Sequence, residues 1–127
     1  MLFRSLGTVQ LRIMRVLWDE GEVTARQITE AMSESKPIAH STVQTLLRQL
    51  EAKKAVAYEK RDRTFVFRPL VADDDVSRSA AHDLLSRVFQ GSISGLVGHL
   101  LDSEPVPPDE LARLRVLVDA KSKETLP

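Results

Sequence analysis

The chain has 127 residues, 43% of them hydrophobic, which suffices for one compact domain and a short appendage but not for two full domains. No apolar run approaches the roughly 18–20 residues that span a bilayer, the amino terminus lacks a signal-peptide pattern, and there is no cysteine, which excludes disulfides and thiolate metal sites. A cytoplasmic protein without membrane insertion is expected, and its zero net charge is unevenly spread: residues 1–70 hold twelve basic and eight acidic side chains (net +4), residues 71–127 six and ten (net −4).

Val9, Ile13, Val16 and Leu17 recur at helical spacing, widened by Met14 and Trp18, and predict a first helix from about Thr8 to Glu20, stopped by Gly21. Thr24 and Gln27 have capping-box spacing, and Ala25, Ile28 and Met32 then form one face of a short second helix that Lys36-Pro37 breaks. A third helix is predicted from about His40 to Lys53. Val43, Leu46, Leu47 and Leu50 fall on its inner side, at i, i+3, i+4 and i+7. At about 100° per residue the opposite side is Ser41, Thr45 and Arg48, flanked by Thr42, Gln44 and Gln49. That face is polar yet almost free of acids, unlike an ordinary solvated helix, which mixes signs.

The pattern then turns extended. Ala55 to Lys60 and Thr64 to Arg68 are β-prone runs joined by the tip Arg61-Asp62-Arg63, and Pro69 ends the second run. Asp73-Asp74-Asp75 caps a fourth helix carrying Ala80, Ala81, Leu84, Leu85 and Val88 to about Phe89. Gly91-Ser92 punctuates it. Ile93, Leu96, Val97, Leu100 and Leu101 stripe a fifth helix, Pro105, Pro107 and Pro108 mark a loop, and Leu111, Leu114, Leu117 and Val118 stripe a sixth; Lys121 to Pro127 are expected to fray. The fold class is mainly α with a small β-hairpin wing: a winged helix-turn-helix over residues 1–70, then a helical region over residues 71–127.

An inner Val/Leu side and an outer Ser/Thr/Gln/Arg side suit a helix lying in the major groove of DNA. Arg forks onto guanine, Gln pairs bidentately with adenine, and Thr offers a hydroxyl and a methyl. The expected reading residues are Ser41, Thr42, Gln44, Thr45, Arg48 and Gln49, with Lys53, Arg61 and Arg63 on phosphates. Helices of about ten residues with wide apolar stripes do not bury those stripes alone, so a second copy of the chain is the economical partner. The expected contact set is Leu84, Leu85, Val88, Phe89, Ile93, Leu96, Val97, Leu100, Leu101, Leu111, Leu114, Leu117 and Val118. The alternative is a winged-helix protein-interaction module that never touches DNA. His40, His82 and His99 lie at no metal-ligand spacing, Ser41 beside His40 lacks an orienting acid, and there is no glycine-rich phosphate loop, so neither metal, cofactor nor enzymatic activity is expected.

Leu6-Gly7, Ile13 to Trp18, Gly21, Thr24 with Arg26, Ala39 to Val43 with Thr45, Lys53, Arg63, Phe67 and Pro69 resemble, in order, the penicillinase-repressor family (BlaI, MecI and CopY-type winged-helix repressors). Phe89 with Gly91-Ser92, Leu96-Val97, Glu110-Leu111 and Leu114-Arg115 extend the resemblance over essentially the whole chain. It implies a homodimeric repressor on a palindromic operator upstream of resistance or stress genes, dimerised through helices four to six. The chain departs from the pattern at three places. The family commonly has arginine at the position of Gln49, whereas here the arginine is Arg48, and its usual glycines are absent at Lys54 and Asp62. In some relatives a membrane-bound metalloprotease sensor cuts an Asn-Phe bond in the fifth helix; the matching bond here is His99-Leu100. The cysteine-rich tail of the copper-responsive relatives is missing.

Overall fold

The computed structural model describes residues 6–125, and two compact units divide within one helix, the first ending at Asp83 and the second beginning at Leu84. In chain order the elements are α1 (Thr8–Glu20), β1 (Val23–Thr24), α2 (Ala25–Ser33), α3 (His40–Ala52), β2 (Val56–Arg61), β3 (Thr64–Pro69), α4 (Asp73–Arg87), α5 (Ile93–Ser103) and α6 (Pro108–Thr125). The six helices and the hairpin stand in the predicted order. The short β1 is an addition: it pairs antiparallel with β3, making a three-stranded sheet of order β1-β3-β2.

The first unit is built on the apolar sides of α1, α2 and α3. Ile13, Met14, Leu17, Ile28, Val43, Leu47 and Leu50 are essentially inaccessible, and Val23, Ala55 and Val56 close the cluster from the sheet side. Truncating one of these leucines to alanine costs about 2–5 kcal/mol, because the lost contacts and the cavity add. Thr24 caps α2 as expected: its Oγ1 accepts from Gln27 N at 3.1 Å, and Gln27 Oε1 accepts from Thr24 N at 2.9 Å. The helix ends at Ser33, ahead of the Lys36-Pro37 breaker, where Ser35 N and Lys36 N both turn back to Met32 O. Trp18 lies partly buried against the core, and its Nε1 donates to Val71 O at 2.8 Å, fastening the segment after the hairpin to α1. Val76 is the buried residue of α4.

Thr29 couples α2 to α3. Its Oγ1 lies 2.9 Å from both Ala25 O and His40 Nδ1. A hydroxyl has one proton and here it goes to the carbonyl, so Nδ1 of His40 is the protonated nitrogen and donates.

In the second unit Ser92 caps α5 by accepting from Gly95 N at 2.9 Å. The turn before it holds Gln90 and Gly91 at φ 51° and 82°. Neither α5 nor α6 has a single buried residue. Helix α6 continues through Lys121 to Thr125 rather than fraying there, supported by a Lys121–Glu124 ion pair and by Thr125 Oγ1 on Lys121 O; Leu126 and Pro127 lie outside the described residues.

Candidate nucleic-acid interface

Helix α3 presents Ser41, Thr42, Gln44, Thr45 and Arg48 to solvent while burying Val43, Leu47 and Leu50. The outer face is preorganised locally. Thr45 Oγ1 donates to Ser41 O at 3.0 Å, and Arg48 Nη2 reaches Thr45 Oγ1 at 3.4 Å. No carboxylate lies between Ser41 and Arg48. Gln44, Arg48 and Glu51 line one flank of α3, where they face Arg63 and Phe65 across a groove between helix and hairpin.

Gln49 and Lys53 turn the other way. Gln10, a buried polar residue of α1, donates from Nε2 to Gln49 Oε1 at 2.9 Å. Its Oε1 accepts from Lys53 Nζ and from Gly7 N, both at 2.9 Å. Gln10 thereby ties α3 to α1 and to the start of α1 itself. An arginine at position 49 would set a second cation beside Lys53 on a neutral amide. The apolar periodicity of α1 did not single out Gln10; a polar residue sharing a helix turn with Ile13 and Met14 was the available signal.

The turns explain the two missing glycines. Lys54 holds φ 63° after α3, and Ala55 N donates to Leu50 O while Lys54 N donates to Glu51 O, both at 2.9 Å. This is a Schellman closure with lysine in the left-handed seat usually given to glycine. In the hairpin Arg61 pairs with Thr64, leaving Asp62 and Arg63 as a two-residue loop with φ 49° and 70°. Two consecutive positive φ values mark a type I′ turn, whose twist matches the strands. Both turns therefore keep the shape that glycine favours, without glycine.

The two wing arginines differ. Arg61 Nη2 pairs with Glu22 Oε2 at 2.8 Å, and its Nε meets Glu59 Oε1 at 2.6 Å. These carboxylates, Glu22 foremost and then Glu59, push the guanidinium pKa further above its ordinary value. Arg63, the second residue of the two-residue loop, forms no ion pair or hydrogen bond among the described residues. Arg26 on α2 lines the same groove, also without such a partner among them.

A penicillinase repressor family model matches residues 6–120. The chain belongs to the penicillinase repressor family. It is 23% identical over 121 residues to the penicillinase repressor of Bacillus licheniformis, with 94% of each chain covered. It is 22% identical over 117 residues to the methicillin resistance regulatory protein MecI of Staphylococcus aureus strain N315, covering 92% of this chain and 95% of MecI. The solution structure of the DNA binding domain of the repressor BlaI superposes with a TM-score of 0.51 at 25% identity, covering 56% of this chain and 87% of that one. The family is one of winged-helix, DNA-binding transcriptional repressors rather than enzymes, with relatives named for antibiotic-resistance regulation.

The residues expected to dimerise fall in the second unit. In the second unit Leu84, Val88, Ile93, Leu100, Leu101, Leu111, Leu117 and Val118 are exposed, whereas Leu85, Phe89, Leu96, Val97 and Leu114 are half-buried. Val116, absent from the predicted stripe, is 67% exposed. The His99-Leu100 bond lies inside α5: Ser103 Oγ donates to His99 O at 2.8 Å, Glu104 N donates to Leu100 O at 2.9 Å, and the His99 ring packs at 6.1 Å from Phe89. No helix among the described residues is long and apolar enough to cross a membrane.

Proposed function

We propose that this family member is a cytoplasmic homodimeric repressor that blocks transcription by occupying a palindromic operator controlling resistance or stress genes. Residues 1–70 bind DNA and residues 71–127 hold the dimer. Ser41, Thr42, Gln44, Thr45 and Arg48 enter the major groove, Arg63 contacts phosphate, Gln49 and Lys53 set the seat of α3 through Gln10, and Arg61 anchors the wing. The observation that carries the reading is the solvent face of α3. Five consecutive-turn hydroxyl, amide and guanidinium side chains lie there without a carboxylate, beside an unpaired basic turn. A two-fold dimer sets two such helices about 34–36 Å apart, or a multiple of this, on one face of the duplex.

The experiment is Arg48→Ala measured against matched single-base variants of a duplex selected from a random library. Arg48 paired with a base predicts a loss of about 1–3 kcal/mol on the parent sequence and relaxed discrimination at one position per half-site. An equal loss on every sequence would reduce Arg48 to a phosphate contact. Salt titration of the parent protein separates the repressor from a module that binds only protein, because log affinity for DNA falls with a slope of about −0.9 per phosphate neutralised.

A further inference from the structure

We propose that the groove between α3 and the β2–β3 hairpin binds a planar aromatic carboxylate, and that its occupancy opposes DNA binding; the second clause rests on the role given to α3 above. The groove encloses about 500 Å³, a volume in the ordinary range of small-molecule clefts. Its sheet wall is aromatic. Tyr58 and Phe65 meet edge to face with centroids 5.2 Å apart, and Tyr58 lies 5.6 Å from Phe67. Tyr58 and Phe65 nonetheless keep 46% and 48% of their surface in solvent. A flat ring entering the groove covers that surface and adds a partner to a cluster whose edges and faces are already offset.

The remaining walls select the sign of the ligand. Arg48 stands on α3, Arg26 on α2 and Arg63 on the wing turn, against the single carboxylate of Glu51. Among the described residues Arg26 and Arg63 have no hydrogen-bond or ion-pair partner, and Arg48 reaches only Thr45. Guanidinium groups grip carboxylates through two parallel hydrogen bonds, so an anion with a planar two-oxygen head fits this rim. Inorganic phosphate satisfies the rim but leaves the rings wet, and a neutral arene does the reverse. Arg48, Gln44 and Arg63 are also proposed DNA contacts, so one occupant excludes or weakens the other, and the effect is reciprocal.

The test titrates the isotopically labelled full-length protein, free of DNA, with 1-naphthoate while amide shifts are followed. Saturable shifts confined to α2, α3 and the hairpin are expected, with 1-naphthylmethanol and cyclohexanecarboxylate each binding about tenfold more weakly. Arg26→Gln, on an exposed position, and Phe65→Leu should each weaken naphthoate by a comparable factor while the remaining spectrum is unchanged. Absence of saturation, shifts mapping to α5 and α6, or equal binding of the alcohol would overturn the site. In a second arm naphthoate should lower affinity for the selected duplex; groove occupancy with unchanged DNA affinity overturns the opposition. A protein that binds naphthoate but no DNA at any salt concentration refutes the repressor reading and the opposition with it, and leaves the site standing.

Discussion

Gln10 shows how one buried amide distributes constraint. Its two oxygen lone pairs take Gly7 N and Lys53 Nζ, and its nitrogen serves Gln49, so substituting it strands three partners rather than one. A charge-swapped pair tests the arrangement. Gln49→Arg alone sets two cations on a neutral amide and is expected to destabilise the chain by about 1 kcal/mol; Gln10→Glu added to it supplies the missing anion and restores stability. Urea unfolding of both singles and the double should give a favourable coupling of about 1 kcal/mol, and additive effects would dissolve the link. Arg61 carries the opposite lesson, a cation already committed to Glu22 and Glu59. Glu22→Gln removes the carboxylate that contributes most and leaves the guanidinium only Glu59, so part of its donor set opens to phosphate. Affinity for DNA should then rise without a change in sequence preference, and the salt slope should steepen by up to about 0.9. An unaltered slope would keep Arg61 as a wing anchor only.

The turns around α3 and the hairpin store conformational strain in Lys54, Asp62 and Arg63, each at positive φ. Lysine gains nothing locally from the left-handed region, whereas Asp tolerates it better. Lys54→Gly is therefore expected to raise unfolding stability by about 0.5–1 kcal/mol, and Asp62→Gly by less, read as shifts of the urea midpoint at constant slope. A loss of stability at Lys54→Gly would show that its side chain has a stabilising contact outweighing the backbone. The elements themselves were readable because their signals are local: the i, i+3, i+4, i+7 stripe of Val43 to Leu50, the Thr24–Gln27 capping pair, and the alternation around Tyr58 and Phe67. What escaped was non-local. Strand β1 is two residues long and exists only because β3 lies beside it, more than forty residues on. Glu22 meets Arg61 across 39 positions and Gln10 meets Gln49 across the same span. Periodicity therefore placed Gln49 near the outer face of α3 but carried no information on what its amide touches, and the same holds for the groove wall formed by Arg26.

The second unit carries the argument for the proposed dimer. Helices α5 and α6 contain no buried residue, although Ile93, Val116, Leu117 and Val118 are each more than 60% exposed. At about 25 cal/mol per Å² of apolar surface removed from water, covering a handful of such side chains provides several kcal/mol towards association. A dimer also converts the second half-site contact into an intramolecular event at an effective concentration in the millimolar range, which raises affinity for a palindrome by about 10²–10⁴ over one half-site. The combined substitution Ile93→Asp with Leu117→Asp introduces charge where solvent already reaches, so the core of the winged helix is left intact. Sedimentation equilibrium should return the monomer mass for this variant and twice that for the parent. Affinity for the selected palindrome should fall to that of an isolated half-site, while the discrimination contributed by Arg48 within that half-site persists. A parent protein that sediments as a monomer, or a variant that stays dimeric, removes α5 and α6 from the interface. Loss of mass without loss of palindrome affinity would instead mean that the two copies meet only on DNA, each bringing its own reading helix independently.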